Sequence, residues 1–92
     1  MTEKQIEQRL CSRVNGIGGK AVKLVPTYEA GIPDRLVLYK SCAVFVELKK
    51  PGEKPRKLQL AYMQQLERLG FECCVVDSYD GVDGLIHKLL EC

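Results

Sequence analysis

Asp34, Glu47 and Lys49 are the residues whose types and spacing suit chemistry. Glu47-Leu48-Lys49 closes the apolar run Ala43 to Leu48, and a hydrophobic strand has no packing reason to end in a carboxylate and an ammonium two positions apart. In a strand, positions i and i+2 share a face, so Glu47 and Lys49 point the same way, about 6.6 Å apart along the chain. A second strand pattern, Asp34 to Tyr39, precedes this run so closely that a hairpin is expected, with Lys40-Ser41 at its turn. One register opposes Asp34 to Glu47, with Cβ atoms about 4.5–5.5 Å apart. A shift by two opposes Asp34 to Lys49 instead, with Glu47 on the diagonal. All three residues share one face in either register.

Two carboxylates held this close repel one another unless something positive lies between them, and Lys49 alone is a long, flexible partner. A divalent cation answers the repulsion economically. Magnesium takes hard oxygen ligands, keeps several waters, and typically uses one or two carboxylates together with substrate phosphate. Asp34, Glu47 and the backbone carbonyl of Leu48 supply such a set, for Mg2+ or Mn2+ and for one ion or two. The expected chemistry is hydrolysis of a phosphodiester, with Lys49 orienting water or stabilising charge that grows on the phosphate. An E-x-K triplet alone, however, is most often a surface ion pair at a strand end.

The elements that must position these residues follow from periodicity. Ile6, Leu10 and Val14 recur every four positions behind Thr2 as N-cap, which predicts a helix from Glu3 to Val14. Ala21 to Val25 reads as a strand, and Pro26 to Pro33 as a loop. After the hairpin strands Asp34–Tyr39 and Ala43–Lys49, the spacing of Leu58, Tyr62, Leu66 and Leu69 predicts a long amphipathic helix stopping at Gly70. Phe71 to Asp77 reads as a strand buried on both faces. Asp80 and Asp83 resemble a capping box, ahead of the stripe Val82, Leu85, Ile86, Leu89 and Leu90. The order is αβββαβα, with helices on both faces of a mixed sheet.

At 92 residues, 46% hydrophobic and 28% charged, the chain reads as one globular domain spanning residues 1–92, with little margin in its core. No apolar stretch approaches the roughly 20 residues of a membrane span, and the start of the sequence lacks a signal-peptide pattern, so an intracellular, cytoplasmic protein is expected. Cys11, Cys42, Cys73, Cys74 and Cys92 lack C-x-x-C spacing and are expected as plain thiols in a reducing compartment. The net charge of +2 is slight, but Lys49, Lys50, Lys54, Arg56 and Lys57 surround a single acid, Glu53. With Lys20 and Lys23, the lysines and arginine of that loop are candidates to neutralise DNA phosphates without reading sequence. His87 and the four tyrosines are expected to be structural or exposed.

The string Gly31-Ile32-Pro33-Asp34, Glu47-Leu48-Lys49, then Pro51-Gly52 and a basic loop leading into Leu58-Gln59, resembles the PD-(D/E)XK nuclease superfamily. More narrowly, it is similar to a stand-alone VRR-NUC domain, the virus-type replication and repair nuclease. The resemblance covers most of the chain and implies an α/β fold with a restriction-endonuclease-like core, αβββαβ(α). It also implies that Asp34 is the metal-binding aspartate, Glu47 the second acid, Lys49 the catalytic lysine and Gln59 the glutamine beside the site. Glu7 would match the acid of the first helix, with Glu3 one turn away on the same face. The implied activity is a metal-dependent, structure-selective DNA endonuclease that cuts four-way (Holliday) junctions as a homodimer. Alternatives are action on flapped, nicked or duplex DNA, or a non-cleaving nucleic-acid-binding module on the same fold.

Overall fold

The computed structural model describes all residues, Met1–Cys92. Three helices, α1 (Glu3–Gly16), α2 (Lys57–Arg68) and α3 (Tyr79–Leu90), flank four strands, β1 (Lys20–Lys23), β2 (Arg35–Tyr39), β3 (Cys42–Leu48) and β4 (Glu72–Val76). The sheet runs β1-β2-β3-β4. Its first two pairings are antiparallel and the third, β3 with β4, is parallel, with α2 as the crossover between them. The mixed sheet and the element order are those expected.

Alternation along β3 explains why both faces need a helix. Val44, Val46 and Leu48 enter a core with Ile6, Leu10 and Val14 of α1 and with Val82, Leu85, Ile86 and Leu89 of α3. The intervening Phe45 and Glu47 face the other way, toward α2. There Phe45 meets Phe71 edge-on at 6.1 Å, and the Cys73 thiol donates to the Met63 carbonyl of α2. Thr2 caps α1 as expected, its hydroxyl accepting from the Gln5 N–H while Gln5 returns the bond to the Thr2 N–H.

The hairpin takes the register that opposes Arg35 to Val46 and Tyr39 to Cys42, so Asp34 falls across from Glu47. Its two-residue turn carries Lys40 at φ 53°, the left-handed value such a loop demands at its first position. Gly31 shows why the preceding loop can lie against α2: a Cβ there would stand 2.8 Å from the Leu58 carbonyl oxygen. Close approach of two backbones requires glycine.

Four expectations are corrected. β4 is an edge strand, with Val75 41% exposed, because nothing pairs beyond it; it is not buried on both faces. Ser78, not Asp80, caps α3 by accepting from the Gly81 N–H at 2.9 Å, while Asp83 is engaged by Arg9 and Arg13 of α1. Leu90 leaves the stripe and is 52% exposed. Cys42 and Cys92 form a disulfide, leaving Cys11, Cys73 and Cys74 free, so the reducing compartment argued from five thiols loses its basis. His87 is exposed, as expected. No helix is long and apolar enough to cross a membrane.

Candidate active site

The site forms where β3 ends and α2 begins. Glu47 is the last residue of β3 to face α2, and α2 covers it to 2% exposure. Gln59, in the first turn of α2, donates from Nε2 to Glu47 Oε2 at 2.9 Å. Its own carbonyl oxygen accepts from the Arg56 N–H at 2.8 Å, which fixes the amide with its donor side toward the carboxylate. Lys49 Nζ lies 3.3 Å from the same Glu47 oxygen. Glu47 Oε1, by contrast, is buried with no hydrogen-bond partner.

An unpartnered buried carboxylate oxygen costs free energy, because water is removed and nothing replaces it. Burial accordingly pushes the Glu47 carboxyl up to about 7, and the nearby charge of Asp34 adds to the rise, while the Lys49 hydrogen bond opposes it. Asp34 is held by a different contact. Its Oδ2 accepts from the Leu48 N–H at 2.8 Å, pinning the aspartate to the Glu47-Leu48-Lys49 segment from the neighbouring strand. Its backbone carbonyl accepts from the Leu24 N–H, so β1 holds it from the other side.

The donor set fits a hard divalent cation. No three His, Cys, Asp or Glu side chains converge to hold a metal ion by themselves. A site built on Asp34 and Glu47 leaves its other positions to water, a backbone carbonyl such as that of Leu48, and substrate oxygens, the habit of magnesium. The orphaned Oε1 is the observation that favours such an ion, since a cation supplies the partner that the protein does not.

The two acids of α1 are separated by their partners. Glu7 Oε2 accepts from both Nε and an Nη of Arg35, at 3.2 and 3.1 Å, and the guanidinium goes on to the Ala21 carbonyl. That contact clamps α1 to β2 and β1 and occupies Glu7. Glu3, one turn earlier, is the helix acid that feels the site: its carboxyl is raised by partial burial and then by Asp34, with Lys49 pulling the other way and Glu53 and Glu7 adding to the rise. Spacing alone could not separate the two, because positions i and i+4 share a helix face.

Among the basic candidates, Lys49, Lys54 and Arg56 line one open cavity with Glu53, and no apolar side chain contributes to it. Lys50 and Lys57 are exposed beside it in sequence. Lys20 is not brought to the site: it pairs with Leu38, near the far end of the hairpin, whereas Lys23 pairs with Arg35 next to Asp34.

A mixed four-stranded sheet carrying an aspartate and an E-x-K segment at its end, with a helix glutamine against the glutamate, defines an α/β domain of the PD-(D/E)XK nuclease type. A protein named "Putative nuclease p44", from Acyrthosiphon pisum secondary endosymbiont phage 1, is 47% identical over 79 residues, or 85% of this chain and 85% of that protein. A solved structure described as a VRR_NUC domain matches with a TM-score of 0.84 at 31% identity, over 95% of this chain and 97% of that one. No family model matches. The chain belongs to the VRR-NUC family.

Proposed function

We propose that the protein is a divalent-metal-dependent DNA endonuclease, selective for branched structure rather than sequence, that hydrolyses phosphodiesters at four-way junctions as a homodimer. The observation that carries this reading is the buried, unpartnered Oε1 of Glu47 beside Asp34, Lys49 and Gln59. Asp34, Glu47 and the Leu48 carbonyl would hold Mg2+ or Mn2+. The chemistry supplied by a bound ion there is polarisation of a phosphate oxygen and acidification of water.

The remaining work falls to the protein. Gln59 holds Glu47 Oε2 so that Oε1 stays presented. Lys49, 10% exposed at its side chain, has an ammonium that can stabilise the charge growing on the phosphate. Glu3 is the better placed of the α1 acids to act at the site, with Glu7 retained by Arg35. Lys50, Lys54, Arg56 and Lys57 would neutralise flanking phosphates, a contact that positions DNA without reading bases.

Two sites related by a two-fold axis suit paired cuts across a junction. Exposed Leu58, Leu60, Leu69, Phe71 and Val75 supply apolar surface for a second copy to cover. The test is a panel of labelled four-way junction, flap, nicked and linear duplex, cut alongside a measurement of mass in solution. Paired junction cuts by a dimer are expected. Equal cutting of linear duplex would remove the junction preference, and full junction cleavage by a monomer would remove the dimer.

A further inference from the structure

The loop after Lys49 is a shaped turn. Pro51 and Gly52 occupy the central positions of a turn closed by the Glu53 N–H donating to the Lys50 carbonyl at 3.0 Å. Gly52 sits at φ 82°, the value that the third residue of a type II turn requires and that glycine adopts freely. The Gly52 N–H also donates to Asp77 Oδ2 at 3.4 Å, tethering the loop to the end of β4.

This turn folds Glu53 back over two ammonium groups. One carboxylate oxygen lies 3.8 Å from Lys49 Nζ and the other 3.8 Å from Lys50 Nζ. Glu53 is the single acid on the cavity it shares with Lys49, Lys54 and Arg56. Its side chain is 38% exposed against 10% for Lys49, so the carboxylate is the more accessible member of the pair. An anion with one oxygen toward each of two ammoniums has the charge and the oxygen spread of a phosphodiester's two non-bridging oxygens.

We propose that Glu53 is a positioning residue that holds the place of a DNA phosphate: in the free protein it pairs Lys49 and Lys50, and DNA engages them by displacing it. The proposal rests on the nuclease reading above. Both contacts are long and partly solvated, so they are weak. A phosphate that makes charge-assisted hydrogen bonds at about 2.7–2.9 Å outcompetes them. Glu53 therefore lowers affinity for DNA without blocking it, and keeps the two lysines paired when no DNA is bound. It also disfavours ligands that offer only one or two phosphates, since these gain too little elsewhere to displace it.

The test is equilibrium binding of a labelled four-way junction and a linear duplex, in chelator, over a range of salt, for wild type, Glu53→Gln, Lys50→Met and the double variant. Glu67→Gln, an exposed change of the same charge on α2, controls for net charge. Glu53→Gln is expected to bind about three- to tenfold more tightly than wild type and Glu67→Gln. The slope of log affinity against log salt should steepen by about one. The gain should shrink in the Lys50→Met background, because one of the two pairs is already gone. A gain no larger than that of Glu67→Gln, or one undiminished by Lys50→Met, would overturn the proposal. So would unchanged binding with loss of cleavage when magnesium is added to the same junction complexes, which would make Glu53 a metal-binding acid. Wild type that neither binds these DNAs at low salt nor cuts them when magnesium is added would overturn the nuclease reading itself.

Discussion

Glu47 carries opposing demands: ionised, it can bind a cation, yet its burial favours the proton. With its carboxyl raised to about 7, protons compete with the metal across the neutral range. At sub-saturating magnesium, cleavage is expected to rise by roughly tenfold per pH unit below about 7 and to level off above it. Without metal, the raised carboxyl makes the folded state bind more protons than the unfolded state between its ordinary 4.5 and about 7. Stability from this group is therefore full below about 4.5 and lost as pH rises through 7. Thermal melts of Glu47→Gln in chelator should lack that loss, and a wild-type stability flat over the same window would contradict the burial argument. Gln59→Ala removes the donor that orients Glu47 and should cost about 10–100-fold in metal affinity or activity, measured by metal titration of cleavage. Glu3→Gln and Glu7→Gln separate the two helix acids. Glu3→Gln should abolish most cleavage with little change in melting. Glu7→Gln should lose about 1–3 kcal/mol of stability in urea, since it releases the half-buried Arg35, and keep cleavage.

The elements show which of these features a sequence can carry. Hydrophobic alternation was enough to put Asp34, Glu47 and Lys49 on one face, because a one-residue slip would have sent Val44, Val46 and Leu48 out of the core. It left open a shift by two, and only the two-residue turn of the folded hairpin sets Asp34 across from Glu47. The N-cap of α1 was legible in Thr2, whose partner Gln5 lies within one turn of it. The cap of α3 was not, because Asp83 is held by Arg9 and Arg13, residues 74 and 70 positions away in the chain. Cys73 to Val76 is an apolar run whose composition cannot distinguish a central strand from an edge. Glu3 and Glu7 share a helix face, and nothing local in the sequence announces that Arg35, 28 positions on from Glu7, pairs with Glu7 rather than with Glu3. Ser78→Ala should test the observed cap, costing about 0.5–2 kcal/mol in urea unfolding. An Asp80→Ala change of equal cost would contradict the assignment.

For the whole molecule, Cys42–Cys92 ties the hairpin turn to the end of α3 across 50 positions of sequence. No spacing rule announces such a pairing, which depends on where two distant ends meet in the fold. Closing a loop of that length restricts the unfolded chain, so reduction should destabilise the protein by about 2–4 kcal/mol. Urea midpoints with and without reductant measure this, and thiol labelling of the unfolded protein should count Cys11, Cys73 and Cys74 before reduction and all five cysteines after. Cys42 lies at the opposite end of β3 from Glu47, about 17 Å away at strand rise, so cleavage should survive reduction below the unfolding transition. The molecule thus keeps its covalent tie at one end of the sheet and its candidate chemistry at the other.

The most direct test of the central claim is cleavage of a labelled four-way junction by wild type and by Glu47→Ala, each with magnesium, with manganese and with chelator. The expected result is cutting by wild type in either metal, none in chelator, and none by Glu47→Ala in any condition while it still binds the junction. Cleavage that persists in chelator or in Glu47→Ala, or a wild type that binds the junction and never cuts it, would contradict a metal-dependent nuclease centred on Glu47.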